Sequence, residues 1–479
     1  MVWQGSARRF LAVALFVVLA ATIVMAQSDR GTLAGTILDN SGAVVANATI
    51  TITGVDTGTT YTAISSSAGA YRVPDMRLGR YNVSVAATGF KKADRTNVLI
   101  QVNTVSALDI TLDVGNTTET VTVSADAPTL QTESSDIGTV VTTKQIQDLP
   151  LALFSTGQSF LRSPETFVFL TPGTAGPGTN SDHGNSGIFE SKLGGGQNFA
   201  TEVILDGVST QRADSGSAFD QTAPSVEALN EFKVLTSTIP AEFGRTSGGV
   251  ESFAIKSGTN SFHGTAFELY RNDKLDANSW VNNFNGADKP RDHQHDFGGS
   301  LGGPVWIPKL YDGRNKAFFF FSWEQYRNNQ GVAQVTTVPT DAMRGGDFSA
   351  LLGNVIGTNP CDGTPLIQGQ IFDPSTTAEC GGTGRKAFPG NVIPTDQLSP
   401  VAQKVLSFLP LPNADNTAGC GAPICGNFHF PSTKPTRDTT MTFKIDYNVS
   451  QNGKAFFSYS SRDQEVLNGN QALPAPLDP

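Results

Sequence analysis

The chain has 479 residues, which is enough for about three domains of ordinary size. Charged residues make up only 16% of it and glycine occupies 49 positions, whereas soluble proteins typically have about 25% charged residues and about 7% glycine. This composition favours β structure with many turns. A formal net charge of -10 without any Lys/Arg-rich run argues against nucleic acid as a partner, because its phosphates require a concentrated basic surface.

The N-terminus has the pattern of an export signal. Arg8 and Arg9 precede an apolar run from Phe10 to Ala26. Val24 and Ala26 are small residues at the positions expected before a signal-peptide cleavage site. We therefore expect a secretory signal peptide over residues 1–26. A transmembrane anchor is the alternative, but the run is short for a span and no basic cluster follows it. No later run is long and apolar enough for a membrane helix, so residence in a membrane would require β-strands.

Residues 31–115 contain seven short alternating segments separated by turns, which predicts a β-sandwich. In the fifth segment Tyr81, Val83 and Val85 should point inward, while Asn82 and Ser84 face water. Gly42, Gly58, Gly69 and Gly79 should supply the positive φ angles that tight turns need. The aromatic side chains of Tyr61, Tyr71, Tyr81 and Phe90 could stack on a sugar, but such residues more often form the core of a small sandwich, so no sugar site is predicted.

Residues 116–128 contain one isolated β-prone stretch, "ETVTVSA". It consists of Glu119, Thr120, Val121, Thr122, Val123, Ser124 and Ala125. One interpretation is that it completes a hairpin with the preceding segment and belongs to the sandwich. The other is that it is a separate strand between two domains.

Residues 129–258 predict a mixed domain of short helices and buried strands. The predicted elements are a helix at 144–149, a strand at 203–205 with a hairpin turn at Asp206-Gly207, a helix at 224–229, a strand at 232–235, a close turn at Gly248-Gly249 and a strand at 250–255. His183, His263, His293 and His295 lie in Gly- and Asn-rich surroundings and are interpreted as surface or loop residues. We find no catalytic constellation or nucleotide-binding loop, so we predict no enzyme activity, cofactor or metal.

Residues 259–479 contain five segments of about the length of a tilted membrane-spanning strand, at 262–271, 295–306, 316–327, 439–448 and 453–462. The clearest is the last but one, in which Met441, Phe443, Ile445 and Tyr447 should face lipid. Thr442, Lys444, Asp446 and Asn448 should face a polar interior. Trp323 and Tyr326 would suit an interfacial aromatic girdle, although a soluble sandwich core could use the same residues.

All four cysteines, Cys361, Cys380, Cys420 and Cys425, lie in an irregular stretch at about 331–436. Export favours disulfides. Of the three possible pairings we favour Cys361 with Cys380 and Cys420 with Cys425, which close the shortest loops. A metal site is the alternative, but there is no C-x-x-C pair or nearby histidine cluster to support it.

Three regions resemble known families. "GTILDNSGAVVANATITI" and "SSAGAYRVPDMRLGRYNVSVAATGF" resemble the carboxypeptidase regulatory-like domain, a prealbumin-like sandwich related to carbohydrate-binding folds. "QIQDLPL", "VILDGV", "SVEALNEFKVLTS", "AEFGRTSGGV" and "IKSGTNSFHG" resemble the plug domain of TonB-dependent outer-membrane receptors. "DFGGSLGGPV", "KAFFFFSWEQYR", "GGDFSALL", "FPGNVIP" and "LPLPNAD" resemble the beginning of the Oar-like barrel.

The resemblance implies a mainly β fold with an N-terminal signal peptide. Its parts would be the sandwich at 31–115, a TonB-box segment and linker at 116–128, an α+β plug domain at 129–258 and the first strands of an outer-membrane barrel at 259–479, with an extracellular loop at about 331–436. The residues of the plug motif would be Asp206, Gly207, Glu231, Glu242, Gly244, Arg245, Gly248 and Gly249. Glu119 to Ala125 would be the TonB box. Five strands cannot close a barrel, so the resemblance also leads us to expect the N-terminal fragment of a longer receptor.

The expected function is TonB-dependent uptake of a bulky nutrient across the outer membrane. The expected partners are a TonB-like periplasmic coupling protein, outer-membrane lipid and a nutrient ligand, which belongs to the ferric siderophore, oligosaccharide or peptide class. The alternative is a secreted or surface protein that acts as an adhesin or binds carbohydrate, without transport. That alternative explains the signal peptide, sandwich and disulfides, but it assigns no role to the alternation at 441–447.

Overall fold

The computed structural model describes residues 30–115, 120–124, 134–148, 167–169, 171–175, 192–197, 200–211, 224–284, 289, 291–414, 423–450 and 453–466. The predicted signal peptide and His183 lie outside these residues. The chain divides into two compact units. The first comprises Met1–Glu268, Asp296–Tyr326 and Asp438–Gln464, and the second comprises Leu269–His295, Arg327–Arg437 and Glu465–Pro479.

The sandwich lies in the first unit and consists of two sheets. Its strands are β1 (Gly31–Asp39), β2 (Thr49–Gly54), β3 (Thr60–Ile64), β4 (Ala70–Met76), β5 (Gly79–Ala86), β6 (Lys92–Ile100), β7 (Val105–Ala107), β8 (Ile110–Leu112) and β9 (Thr120–Ser124). One sheet has the order β4-β1-β7, with β8 also paired to β1, and the other has the order β3-β2-β5-β6-β9.

The predicted inward face of β5 is confirmed. Tyr81, Val83 and Val85 are at most 2% exposed and belong to one core cluster shared by the two sheets. Tyr61 and Tyr71 are buried in the same cluster and Phe90 packs against it, so these aromatic rings serve the core. The four predicted turn glycines all have positive φ, from +63° to +138°.

The last predicted sandwich strand, 107–114, is divided in the structure. β7 and β8 each pair in parallel with β1, and Leu108 and Asp109 lie between them. The Asp109 carboxylate accepts a hydrogen bond from the Thr36 amide at 2.7 Å, and the Leu108 carbonyl accepts one from the Tyr71 hydroxyl at 2.7 Å. The Leu108 amide keeps a backbone bond to the Ala34 carbonyl at 2.8 Å, but the regular pairing with β1 is interrupted where these side-chain bonds occur.

The mixed domain follows in the same unit. Its elements are β10 (Ile137–Val141), α1 (Thr143–Asp148), β11 (Thr174–Ala175), β12 (Lys192–Leu193), β13 (Glu202–Leu205), β14 (Val208–Ser209), β15 (Leu229–Ser237) and β16 (Val250–Ile255). Five strands form a sheet in the order β10-β15-β16-β13-β14, and β11 pairs with β12 separately. A cluster of apolar side chains from β15, β16 and α1, with Phe232 and Phe253 stacked 4.7 Å apart, forms the core.

The helix predicted at 224–229 is wrong in extent. The structure has a single 3₁₀ turn at Val226–Ala228, in which the Ser225 hydroxyl accepts a hydrogen bond from the Glu227 amide at 3.1 Å. Leu229 is already extended and pairs with Ile255, because its buried side chain packs in the sheet. The predicted helix at 144–149 is present as α1, and the predicted strands at 203–205, 232–235 and 250–255 are present as β13, β15 and β16.

The remaining elements are mostly long strands. They are β17 (His263–Asn272), α2 (Trp280–Phe284), β18 (Asp292–Pro304), β19 (Trp306–Ile307), β20 (Tyr311–Asp312), β21 (Ala317–Thr336), α3 (Asp341–Arg344), β22 (Val355–Thr358), β23 (Pro365–Ile367), α4 (Pro400–Leu406), β24 (Phe428–Asn448) and β25 (Lys454–Val466). β17, β18, β21, β24 and β25 form one sheet in that order, called here the long-strand sheet. β19 pairs with β20, and β22 with β23. Among the described residues, no helix is long and apolar enough to cross a membrane.

All five predicted segments are strands, but two are much longer than predicted. β21 has 20 residues and β24 has 21. The predicted loop at about 331–436 is therefore confined to 337–427, and it contains α3, α4, several 3₁₀ turns and the β22–β23 hairpin. The prediction assumed the length of a membrane crossing, and hydrogen-bonded strands extend beyond that length.

The predicted alternation on β24 is confirmed. Thr442, Lys444 and Asp446 are at most 5% exposed, whereas Met441 and Tyr447 are 36% and 44% exposed. On the neighbouring strand β21, Tyr326 does not belong to an exposed aromatic girdle. It is 5% exposed and shares the buried face with Ser322 and Glu324. Trp323 is on the opposite face, where its ring contacts Phe297 at 5.6 Å.

Candidate functional site

The stretch predicted as a partner-binding strand is β9, and it lies at the edge of a sandwich sheet. It pairs in parallel with β6, with Lys92 opposite Thr120 and Thr96 opposite Ser124. Val121 is 37% exposed and Thr122 is exposed, while Glu119 and Ala125 lie outside the described residues. The strand therefore belongs to the sandwich sheet, but through parallel pairing and not through the hairpin considered from the sequence. Since β9 ends the order β3-β2-β5-β6-β9, its second edge has no strand neighbour in the described part of the chain.

The sandwich is joined to the mixed domain by a loop that follows β6. The Val102 amide donates a hydrogen bond to the Glu231 carboxylate, and the Asn103 side chain donates one to the Ser252 hydroxyl at 2.7 Å. Lys233 Nζ donates to the Asn103 carbonyl at 2.7 Å and also pairs with Asp136. This joint connects β15 and β16 to Val102 and Asn103, which lie two and three residues after the end of β6. β6 is the strand that pairs with β9.

Burial determines the electrostatics of this joint. Burial raises the pKa of Glu231 to about 7, and the hydrogen bond from the Val102 amide only partly opposes that shift. Burial also disfavours the Asp136 carboxylate, but its bonds with Lys233 and Ser134 outweigh this and lower the pKa of Asp136. The sandwich and the mixed domain are thus held by a buried carboxyl group with a raised pKa, by the hydrogen bond between Asn103 and Ser252, and by Lys233, whose charge is paired with Asp136 inside the mixed domain.

The hairpin turn of the mixed domain is bonded to the long-strand sheet. Asp206 has φ +48° and Gly207 has φ +83°, as a tight turn between β13 and β14 requires. The buried Asp206 carboxylate accepts hydrogen bonds from the Ile255 amide at 2.9 Å and from Lys444 Nζ at 3.0 Å. Lys444 Nζ also donates to the Ile255 carbonyl at 3.3 Å. A cation on the inner face of β24 therefore holds the turn that the sequence singled out.

The same face of β24 holds the sandwich. Arg77, in the turn after β4, pairs with the Asp446 carboxylate at 3.3 Å, and the Ser257 hydroxyl donates to the same carboxylate. The Asn448 side chain donates to the Thr59 hydroxyl at 3.1 Å. Two residues apart on one strand, Lys444 and Asp446 fasten two different domains to the same sheet. We call these contacts, together with the joint at Glu231 and Lys233, the junction.

A cavity of about 460 Å³ lies at the junction. Its charged lining consists of Arg30, Asp56, Arg77, Lys256, Lys444 and Asp446. Burial lowers the pKa of Lys256, partly opposed by Glu227. Among the described residues, no group of His, Cys, Asp and Glu side chains is arranged to hold a metal ion.

The other predicted residues of the mixed domain have different surroundings. Glu242, Gly244 and Arg245 are exposed, whereas Gly248 and Gly249 are buried. A side chain at Gly249 would place its Cβ 2.5 Å from Leu193 Cβ and 2.6 Å from the Leu235 carbonyl oxygen. Glycine is therefore required at position 249, because the Leu193 side chain and the Leu235 backbone lie too close to leave room for a Cβ. The sequence predicted a close turn at this position.

The cysteine stretch belongs to the second unit. Cys361 and Cys380 form a disulfide with their Cα atoms 4.8 Å apart, which is the first of the two pairings favoured from the sequence. Cys425 is also disulfide-bonded, and Cys420 lies outside the described residues.

Arg77 and Lys233 are not predicted from the sequence, and Lys444 and Asp446 are predicted only to face a polar interior, without their partners. Lys233 carried a usable signal, since it is a charged residue inside a buried run, "EFKVL", and is only 1% exposed. Charged residues are almost never fully buried without a partner. Arg77 carried no such signal, because it lies in a polar turn.

Two families match the sequence. Residues 32–113 match the Carboxypeptidase regulatory-like domain, and residues 254–477 match the Outer membrane beta barrel domain. The first of these ranges covers strands β1 to β8 of the sandwich apart from Gly31, and the five alternating strands of the long-strand sheet lie within the second.

Among curated proteins, the chain is similar to the TonB-dependent transporter Oar of Myxococcus xanthus, with 26% identity over 289 residues. The similar region covers 59% of this chain and 26% of that protein, so the chain spans about a quarter of the length of this relative. The sequence of this chain is therefore similar to that of a TonB-dependent transporter over somewhat more than half of its length.

Two solved structures are also similar. The siderophore receptor PirA from Acinetobacter baumannii has 13% identity and a TM-score of 0.33, covering 69% of this chain and 32% of its own. The outer membrane transporter YddB from Escherichia coli has 14% identity and a TM-score of 0.30, covering 68% of this chain and 33% of its own.

Proposed function

We propose that the chain is part of a TonB-dependent transporter that takes up a bulky nutrient across the outer membrane. The mixed domain is the plug, the long-strand sheet is part of the barrel wall, and β9 is the strand that the periplasmic coupling protein engages. The cargo belongs to the ferric siderophore, oligosaccharide or peptide class, and the chain performs no covalent chemistry.

The observation that carries this proposal is the pair of charged contacts on the inner face of β24. A barrel wall that holds a plug needs polar, inward-facing side chains, and buried charges are tolerated only where they are paired. Lys444 binds the turn at Asp206, and Asp446 binds Arg77. A secreted adhesin, the alternative function, gives no reason for charged side chains on one face of a strand whose opposite face is apolar.

The position of β9 supports its proposed role. An edge strand presents a row of unpaired amide and carbonyl groups, and an extended segment of another protein can add to it with main-chain hydrogen bonds. Force applied to β9 would be transmitted through β6 to the loop at Val102 and Asn103, and from there to Glu231 and Ser252 of the proposed plug. The pulling force thus acts first on the sandwich and then on the plug.

The test is proline at Val121, which removes a backbone donor from β9. The probe is the purified periplasmic domain of the coupling protein, whose affinity for the receptor containing this chain is measured for the wild type, Val121→Pro and Thr62→Pro. Thr62 is the matched control, because β3 is the other edge of the same sheet. We expect at least tenfold weaker binding for Val121→Pro only, with unchanged heat-modifiable migration of the barrel. Equal affinity for the wild type and Val121→Pro would overturn the assignment of β9.

A further inference from the structure

The cavity of about 460 Å³ at the junction has the size of a site for a small molecule. Three parts of the first unit form its walls. The sandwich supplies Arg77, the mixed domain supplies Lys256, and β24 supplies Lys444 and Asp446. The volume is in the lower half of the range that is usual for ligand pockets, so an occupant would be no larger than an ordinary metabolite.

The charges on the walls of this cavity favour an anion. Of the six charged side chains in the lining, four are cations and two are carboxylates. Lys444 is bound to Asp206 and Asp446 accepts a hydrogen bond from Ser257, so these two hold the junction itself together. An excess of cations between walls of low dielectric raises the local concentration of small anions.

The Arg77 guanidinium is buried and its hydrogen-bond donors are not satisfied. Arg77 is 8% exposed, and its Nε, Nη1 and Nη2 atoms make no hydrogen bond within the described part of the chain. The 3.3 Å contact between Nη2 and the Asp446 carboxylate balances charge but is not aligned as a hydrogen bond. The Phe318 ring, 5.8 Å from the guanidinium carbon, covers one side of the group with apolar surface. Buried donors of this kind cost free energy until an acceptor reaches them.

Lys256 is a second cation of the lining without a close partner. It directly follows β16, and its backbone amide donates to the Ala228 carbonyl at 2.7 Å, which fixes its position beside the 3₁₀ turn. Its ammonium group makes no hydrogen bond or ion pair to the residues that the structure describes. Burial lowers the pKa of Lys256, and the attraction of Glu227 opposes that shift only in part. An anion in the cavity would stabilise the charged form.

We propose that this cavity binds a small oxyanion, a phosphate or carboxylate group, between Arg77 of the sandwich and Lys256 of the mixed domain. A guanidinium presents its donors as a fork that matches two oxygens of such a group, and an ammonium adds a further charged donor. The bound oxyanion supplies the acceptors that the buried guanidinium lacks and joins the sandwich to the mixed domain. The proposal rests on the walls of the cavity and not on transport or on β9.

The test is calorimetric titration of the receptor containing this chain, in a non-ionic detergent without nutrient or coupling protein. The probes are inorganic phosphate and, separately, acetate, at physiological ionic strength, where exposed charges are screened and buried ones much less. Arg77→Lys keeps a cation beside Asp446 but removes the fork, and Lys256→Met removes the ammonium group at similar side-chain length. Arg80→Gln is the matched control, because Arg80 is an exposed arginine close to Arg77 in the chain that does not line the cavity.

We expect one-site binding of at least one probe to the wild type and to Arg80→Gln, with affinity reduced roughly tenfold or more in Arg77→Lys and in Lys256→Met. Comparison of the two probes then shows whether the site takes phosphate, carboxylate or both. If Arg77→Lys does not fold, Lys256→Met decides, since its ammonium group holds no other part of the described structure.

Two results would overturn the proposal. One is a wild type that binds neither probe, which would mean that only water satisfies Arg77. The other is binding that is equally tight in the wild type and in the folded Lys256→Met variant, which would place the anion elsewhere. Neither result depends on whether β9 binds the coupling protein.

Discussion

Replacing Glu231 with glutamine should change how the joint between the sandwich and the mixed domain responds to pH. The buried Glu231 carboxyl group has a pKa of about 7, against 4.5 for the ordinary group. The native state therefore binds this proton more tightly than the locally opened state. The stability that the protonated group provides is present below pH 4.5 and is lost as the pH rises from 4.5 to 7, above which the loss is constant.

The size of the effect follows from the two pKa values. The full difference of about 2.5 pKa units corresponds to about 3 kcal/mol. Between pH 5.5 and pH 8 the loss is about 2 kcal/mol, which is roughly a 25-fold decrease in the equilibrium constant for the closed joint. In Glu231→Gln this decrease should vanish, because glutamine does not ionise in this range.

Hydrogen exchange of the whole receptor measures this directly. Protection factors of peptides that cover 229–237 and Val102 are determined at pH 5.5 and pH 8 and corrected for intrinsic exchange rates. We expect the protection to fall roughly 25-fold in the wild type and to stay constant in Glu231→Gln. Glu242→Gln, which removes an exposed carboxylate of the same domain, is the control and should behave like the wild type. A decrease of equal size in Glu231→Gln would refute the reasoning.

The other predictions concern single contacts. Lys444→Met should lower the free energy of opening of β13 by about 3–5 kcal/mol, because the Asp206 carboxylate then stays buried without its cation. Lys444→Met/Asp206→Asn should recover most of this free energy in the same exchange experiment, and no recovery would contradict the pairing. Gly249→Ala should destabilise the mixed domain by about 1–3 kcal/mol through overpacking, whereas Gly244→Ala should not, because a Cβ at Gly244 meets nothing within 4 Å. Equal melting temperatures for the two variants would contradict this prediction. Cys361→Ser should destabilise its loop by about 3 kcal/mol, seen as faster local proteolysis with an unchanged barrel; unchanged proteolysis would show that the disulfide does not stabilise the loop.

Local patterns were sufficient to predict much of the fold. Alternation identified the inward face of β5 and the two faces of β24, because each depends only on a period of two along one strand. The turns at Gly42, Gly58, Gly69 and Asp206-Gly207 followed from residues that tolerate positive φ. Strand length was not predicted, since β21 and β24 continue beyond the length that crosses a bilayer and no residue in the sequence marks that continuation.

The junction could be predicted only in part, because its contacts join distant parts of the chain. Lys444 meets Asp206 across 238 residues, and the Val102 amide meets Glu231 across 129. Alternation shows that Lys444 faces inward but cannot show which carboxylate it meets. β9 is a similar case, since a short β-prone segment after a turn suggests a hairpin. Its actual partner, β6, lies earlier in the chain with β7 and β8 between them, and no local pattern in the sequence indicates that pairing.

The central claim is that β9 is the strand that the coupling protein engages, and photo-cross-linking in living cells tests it most directly. A photoreactive residue is placed at the exposed Thr122 on β9 or, as a control, at the exposed Thr62 on β3, the opposite edge of the same sheet. The account predicts a covalent adduct with the coupling protein from position 122, lost when the proton gradient is discharged or when Val121→Pro is added, and no adduct from position 62. No adduct from position 122, or equal adducts from both positions, would contradict it.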